Sequence, residues 1–365
     1  MGDMPIFPRI TFLDDDHVMR VIRQFLLHPG PAVDAAITAF FAPETLDLSS
    51  ARHAATDLRE EDGALVKLAP PEPAAVAGAT VLAFRRGIVT RDMIEACPDL
   101  RLIQRLGERP EGIDLEAARR RGVAVSCLPR RSLALTAEHA ILMMLALAKK
   151  LVVADAAVRS GLIAPGKEAP PDGVAYNWAG LTGLDGLHGR TLGIVGLGEV
   201  GTLVAALARA LGMRILYTKR TRLPAEREEA MGVVYRPLDQ LLKEADYISL
   251  HVQGGNPAEP LVDRAALSLM RPDAYLVNTS RGRFVDEDAL YQALAGRRIA
   301  GAALDVHATE PRPADDRFCR LDNVILTPHV SGGSRYGVLR ECTEIYRNMR
   351  AALSGAAPPH GLIAP

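Results

Sequence analysis

The chain has little that would staple it together or send it to a membrane. Its four cysteines, Cys97, Cys127, Cys319 and Cys342, stand far apart without paired spacing. That argues against a zinc ribbon or a disulfide framework and suits thiols in a reducing compartment; no metal is expected. No long apolar run exists. The strongest, 141–148, is too short to span a bilayer and stops at Lys149 and Lys150. The first residues carry Asp3, Asp14, Asp15 and Asp16 and do not read as a signal peptide. Gly2 is not followed by the Ser or Thr that myristoylation wants, because Ile6 takes that place. Neither charge sign is in excess. With 43 basic and 44 acidic side chains the formal net charge is -1, which leaves no electrostatic footprint for nucleic acid or an anionic membrane. The expected location is the cytoplasm. There is one tryptophan, Trp178, expected to serve packing, and no internal repeat.

What is present is an ordinary globular composition, 48% hydrophobic and 24% charged, on 365 residues. That length exceeds what one compact core usually serves, so two domains are expected. Short apolar runs at 10–13, 80–84, 101–104 and 123–126 suit strands, with helical patterns at 90–96 and 115–121 between them. The alternation argues for a parallel sheet. The stretch 32–72 gives no readable pattern. A helix is expected over 137–150, capped by Thr136 and ended by the two lysines, and apolar nearly all round. The Gly- and Pro-rich stretch 161–186 reads as a long surface loop. Strands then recur at 191–195, 214–217, 247–250, 274–278, 301–305 and 324–327, with helices between most of them, which describes a doubly wound sheet. A last helix, 335–353, can return to pack on the first domain.

The strand 191–195 runs into Gly196-x-Gly198-x-x-Gly201 and then an apolar helix. Gly196 makes the tight turn, Gly198 lets backbone approach a pyrophosphate, and Gly201 lets helix and strand pack closely. The helix N-terminus then offers free amides and a positive dipole to the phosphates. At the end of the second strand an NAD site wants an acid for the ribose 2′-hydroxyl. This chain offers Tyr217-Thr218-Lys219-Arg220-Thr221-Arg222, with three cations and no carboxylate. An acid would repel a 2′-phosphate and Arg would bind it, so NADP is favoured over NAD. The competing reading is a solvated basic loop.

Three later strands end in residues suited to chemistry: Arg281, Asp305 with Glu310 beyond it, and His329. Arg281 can clamp a carboxylate and polarise the carbonyl beside it. His329 can give a proton to a carbonyl oxygen as hydride arrives, or take it in reverse. Glu310 would favour and orient the imidazolium. Asp305 can hold a nicotinamide carboxamide. Each has a plain alternative, a turn cap at Arg281, a solvated Glu310, a His329 bound to backbone. Three such strand ends in one cofactor domain outweigh them.

These residues resemble the D-isomer-specific 2-hydroxyacid dehydrogenase family. The matching segments are G-L-G-E-V-G (196–201), N-T-S-R-G (278–282), A-L-D-V-H-A-T-E-P (303–311) and T-P-H (327–329), with T-A-E-H (136–139) like the family's interdomain helix. The resemblance is clear over 101–353 and poor before Val81. It implies an α/β fold of two doubly wound parallel-sheet domains with a cleft between them. One is a Rossmann nucleotide-binding domain, 131–334, and the other a flavodoxin-like substrate domain, 1–130 with 335–365. It implies a homodimer and a small 2-oxo or 2-hydroxy acid substrate of D configuration. It also implies catalytic roles for Arg281, Glu310 and His329. The candidate cofactor set is Gly196, Gly198, Glu199, Val200, Gly201, Thr218, Lys219, Arg220, His251, Thr279, Ser280, Asp305 and Gly332. Within the family Y-T-K-R (217–220) is similar to the NADP-using glyoxylate/hydroxypyruvate reductases.

Several positions depart from the family pattern. The substrate loop, normally glycine-rich, reads Leu106-Gly107-Glu108-Arg109-Pro110-Glu111-Gly112-Ile113-Asp114. Pro129-Arg130-Arg131-Ser132 carries two arginines, Gln253 replaces a proline, and Glu199 occupies a spot often basic. The candidate substrate contacts are Arg85, Arg86, Gly107, Glu108 and Arg109. With Arg130 and Arg131, these arginines either recognise a more acidic or larger substrate or form solvated ion pairs. A reading of another class also stands beside the enzyme: a dinucleotide-sensing interaction protein, corepressor-like, with little turnover.

Overall fold

A computed structural model describes residues 7–167, 176–252, 259–333 and 335–364. Gln253 lies outside them. The chain divides into two compact units, Met1–Ser132 with Ser334–Pro365, and Leu133–Gly333. Each holds one sheet.

The first unit is built on β1 (Arg9–Phe12), β2 (Leu65–Leu68), β3 (Val81–Phe84), β4 (Leu102–Leu106) and β5 (Ala124–Leu128). These are parallel and lie in the order β2-β1-β3-β4-β5, the flavodoxin-like order. The strand Leu362–Ala364 adds to β5, antiparallel, at the far edge. Every residue of β3 is buried, as a strand covered on both faces requires. The helix Tyr336–Leu353 packs in this unit's core: Tyr346 is buried with Ile10 and Phe12, and its hydroxyl donates to the Ile22 carbonyl at 2.7 Å.

The second unit holds β6 (Thr191–Val195), β7 (Arg214–Thr218), β8 (Val233–Tyr235), β9 (Tyr247–Leu250), β10 (Tyr275–Asn278), β11 (Gly301–Leu304) and β12 (Val324–Leu326). All seven are parallel, in the order β8-β7-β6-β9-β10-β11-β12. The first six of these, counted in chain order, follow the dinucleotide-binding arrangement, with β12 added at the edge. The order reverses between β6 and β9, where such a sheet opens a crevice beyond its carboxyl ends.

The structure corrects several expectations. The helix expected from residue 137 begins at Ser132 and ends at Ala148, so Thr136 lies inside it and caps nothing. Its first turn is held from afar: the Glu341 carboxylate accepts the Ser132 N–H and hydroxyl, each at 3.2 Å. Leu142 on this helix is half exposed in the single chain. A further helix, Leu151–Arg159, follows it. Trp178 is 41% exposed, more than a packing residue should be. The unreadable stretch 32–72 contains helices Pro31–Phe41 and Ser49–Ala54 and edge strand β2. The doubly wound sheet has one strand more than expected, β8. Among the described residues no helix is long and apolar enough to cross a membrane.

Candidate active site

At the end of β6, Gly196 has φ +98°, and a Cβ there would lie 2.7 Å from the His251 carbonyl oxygen. Both backbone and space therefore demand glycine. A Cβ on Gly201 would meet the Gly196 carbonyl oxygen at 2.4 Å, which is the close helix–strand packing the motif anticipates. Gly198 stands at the N-cap of helix Glu199–Ala210, has no side-chain cap, and faces open space where a Cβ would go. Uncapped amides beside an open cradle suit a pyrophosphate. Val200 is buried, so only its backbone can face a ligand. The acidic Glu199 in the first turn opposes anion binding there.

At the end of β7 the loop is built around a buried carboxylate. Glu228 accepts from the Tyr217 hydroxyl at 2.7 Å and from Arg222 Nε and Nη2, both at 2.8 Å. The hydrogen bonds from Arg222 and then Tyr217 hold its carboxyl down at about 2. Arg222, one of the three expected cations, is therefore neutralised by an internal partner. Thr218 and Lys219 are half-buried at the strand's carboxyl end and Arg220 is exposed just after them.

His251 follows β9, with its backbone carbonyl against the Gly196 turn. Its ring is buried, shares a 2.8 Å hydrogen bond with the Ser249 hydroxyl, and burial pushes the imidazole down to about 4. At the end of β10, Asn278 Oδ1 accepts the Ser280 N–H at 3.0 Å and its hydroxyl at 2.8 Å, while Asn278 Nδ2 donates to the Arg281 carbonyl at 3.0 Å. These bonds fold the 278–281 turn and commit Ser280 to it. Thr279 Oγ1 is buried without a partner. An orphaned buried hydroxyl in a dinucleotide crevice is a place where a ligand group fits. Gly332 is exposed with open space about it.

Asp305 follows β11 directly and organises the loop beyond β12. It is fully buried, and its carboxylate accepts the Thr327 hydroxyl at 2.6 Å and the N–H groups of Val330 and Ser331, each at 2.9 Å. Burial alone would raise its carboxyl; these bonds outweigh that and hold it below the usual range. His139 Nε2 lies 3.3 Å from Thr327 Oγ1 and 3.6 Å from Asp305. A carboxylate so bonded anchors the 327–331 segment at the end of its strand.

That segment presents His329. Its φ is +55°, rare for a residue with a side chain, and its N–H donates to the carbonyls of Asp305 and Thr327 at 2.9 and 3.0 Å. Such a backbone persists only where its surroundings fix it. Glu310 Oε2 lies 2.7 Å from His329 Nδ1, and Glu310 Oε1 accepts the His307 N–H at 2.9 Å. Burial would raise the Glu310 carboxyl; hydrogen bonds from His329 and then His307 overcome it and lower it. An ionised Glu310 makes Nδ1 the donor, so Nε2 is left to meet a substrate. The imidazole is 44% exposed, as a group that meets solvent or substrate must be.

The strand register gathers these groups. Asn278 pairs with Leu304, and Leu304 with Leu326, so β10, β11 and β12 end level. Arg281, Asp305 and His329 thus leave the sheet at one edge. A Cβ on Gly282 would lie 2.1 Å from the His307 carbonyl, which brings the Arg281 turn against the segment that carries Glu310.

In the first unit, Arg85 is paired with Asp16 at 2.6 Å. The N–H groups of Arg85 and Arg86 donate to Asp14 at 2.7 and 2.9 Å. Arg131 pairs with Glu344 at 3.0 Å. Arg85 and Arg131 each form an ion pair, one of the two readings open for these arginines. Gly107 carries φ +155°, Glu108 is exposed and Arg109 half-buried.

An open glycine turn at the switch point, beside one edge carrying an arginine and a carboxylate-held histidine, defines a dinucleotide-dependent oxidoreductase. The chain belongs to the D-isomer specific 2-hydroxyacid dehydrogenase family, whose NAD-binding domain model matches residues 141–331. It is 38% identical over 272 residues to a glyoxylate reductase of Korarchaeum cryptofilum, covering 74% of this chain and 79% of that protein. It is 39% identical over 272 residues to a glyoxylate reductase of Thermococcus onnurineus, covering 74% of this chain and 78% of that one. Among solved structures, the TT0316 protein of Thermus thermophilus aligns over 98% of this chain and 100% of its own, with 29% identity and a TM-score of 0.52. The protein is a 2-hydroxyacid oxidoreductase that uses a nicotinamide dinucleotide and acts on a small acid.

Sequence reasoning missed Thr327, His307, Arg312 and His139. Thr327, His307 and His139 lie inside the quoted T-P-H, A-L-D-V-H-A-T-E-P and T-A-E-H motifs, and Arg312 just beyond the second. Their contacts are ones no spacing rule announces.

Proposed function

We propose that the protein reduces a small 2-oxo acid to the D-2-hydroxy acid, with NADPH preferred over NADH. The observation that carries this reading is the 2.7 Å contact between Glu310 and His329 Nδ1 at the edge of a dinucleotide-binding sheet. When bound, the reduced nicotinamide supplies the hydride. Gly196, Gly198 and the amides after them hold the pyrophosphate, and Lys219 and Arg220 take the 2′-phosphate. Arg281 binds the substrate carboxylate and draws charge toward the neighbouring carbonyl oxygen. His329 gives the proton on Nε2 to that oxygen as the carbon is reduced, and Glu310 stabilises the imidazolium before transfer. Homology to the glyoxylate reductases supports glyoxylate as a test substrate.

A panel of 2-oxo acids assayed with NADPH and NADH in parallel tests this. Cofactor oxidation should require the acid, run faster with NADPH, and give D product where the product is chiral. Tight cofactor binding without oxidation by any acid would defeat the reading and favour a sensing role.

We further propose a homodimer formed through the second unit. Leu142, and Leu151, Val152, Val153 and Val158 on the following helix, are exposed apolar residues of the kind that subunit contact removes from water. Light scattering should give the mass of two chains, and Val152→Asp with Val158→Asp should give one. A monomeric wild type would contradict it.

A further inference from the structure

We propose that Arg312 is a positioning residue for the His329–Glu310 pair, acting through the ring of His307. This rests on the function proposed above, and it adds a residue that neither the motifs nor the family match assigns.

Arg312 lies two residues beyond Glu310 and is nearly buried, with a side chain 9% exposed. Its guanidinium is shared among three partners. Nη2 donates to Glu287 at 2.6 Å, Nη1 to Asp316 at 2.9 Å, and Nε to His307 Nδ1 at 3.0 Å. The plane also lies 4.8 Å from the Phe318 ring centre. Glu287 in turn accepts the Ala308 N–H at 2.9 Å. The 307–312 segment is thereby fastened to the start of helix Glu287–Ala295.

The His307 ring is the link to the acid–base pair. Because Nδ1 accepts from Arg312, the ring proton sits on Nε2, which donates to the Thr327 carbonyl at 2.9 Å. The same carbonyl accepts the His329 N–H at 3.0 Å. The His307 N–H holds Glu310 Oε1. One residue thus braces both members of the pair, Glu310 by its backbone and the strained His329 by its ring. Arg312 fixes the tautomer and plane on which this depends. Lysine could not replace it, having no planar fork to serve a ring nitrogen and two carboxylates on different sides.

Without the guanidinium, His307 can turn or exchange tautomer, and the His329 backbone loses one support. A misplacement of about 1 Å at a reacting group can cost on the order of 100-fold in rate, so a fall in kcat of about tenfold or more is expected for Arg312→Met. KM for NADPH should stay within about twofold, because no cofactor contact changes. Proton and nitrogen NMR of the imidazoles supplies a readout that does not need turnover. The wild type should show His307 with a bare Nδ1 and a downfield Nδ1–H resonance from His329 hydrogen-bonded to Glu310. In Arg312→Met the His307 pattern should average between tautomers and the His329 resonance should broaden or vanish.

Should Arg312→Met fail to fold, His307→Phe removes only the ring's two bonds and leaves Arg312 its carboxylates; the same losses are expected. Either variant retaining the His329 resonance, or wild-type kcat, overturns the proposal. A wild type that reduces no 2-oxo acid counts against the proposed function instead, and the resonances still decide the role of Arg312.

Discussion

His329→Gln should lower kcat by about 1000-fold, within the range that a positioned general acid contributes. Glutamine keeps an amide that can bond Glu310, so the loop is not stripped of its contact, but no titrating proton remains for the carbonyl oxygen. Arg281→Lys should lower kcat/KM for the acid by about 100-fold or more, because a point charge replaces the bidentate fork. Both changes should leave the cofactor KM within about twofold, since neither touches the glycine turn. Steady-state oxidation of NADPH at saturating and limiting acid separates these effects. Wild-type kcat in His329→Gln would remove the imidazole from the mechanism.

The second large effect concerns the cofactor. The loop after β7 has no carboxylate from 217 to 223, and Arg222 is consumed by Glu228. On the proposed preference for NADPH, discrimination falls on Lys219 and Arg220. Arg220→Asp exchanges a charge-assisted bond for a repulsion. A hydrogen bond to a charged group is worth about 1.5–3 kcal/mol, so kcat/KM for NADPH should fall by about 10- to 100-fold. NADH, which lacks the phosphate, should be nearly unaffected. A ratio of NADPH to NADH efficiency that does not move would show that the 2′-position is read elsewhere.

The second unit was nearly legible from sequence, and the reason is physical. A parallel sheet buried on both faces needs unbroken apolar strands, and the expected 191–195 and 247–250 match Thr191–Val195 and Tyr247–Leu250 residue for residue. Two edge strands, β8 and β2, were not legible. Val233–Tyr235 is three residues long, and Leu65–Leu68 exposes both terminal leucines, so neither has a period to read. The start of helix Ser132–Ala148 was misread because its partner, Glu341, is 209 residues away. The candidate site shows the same division. Glycine turns and strand ends follow local rules, whereas Asp305 bonded to Thr327 and Arg312 bonded to His307 are tertiary facts. Asp305 was legible as a strand-end carboxylate, but its bonds to the 327–331 segment were not.

The central claim is that hydride passes from the bound nicotinamide to the carbonyl carbon of a 2-oxo acid. NADPH carrying deuterium in both positions at the nicotinamide C4, mixed with the enzyme and glyoxylate in ordinary water, tests it directly by mass spectrometry of the product. Glycolate with one deuterium on C2 is the expected result. Unlabelled glycolate, or oxidised cofactor with no glycolate, would contradict the account.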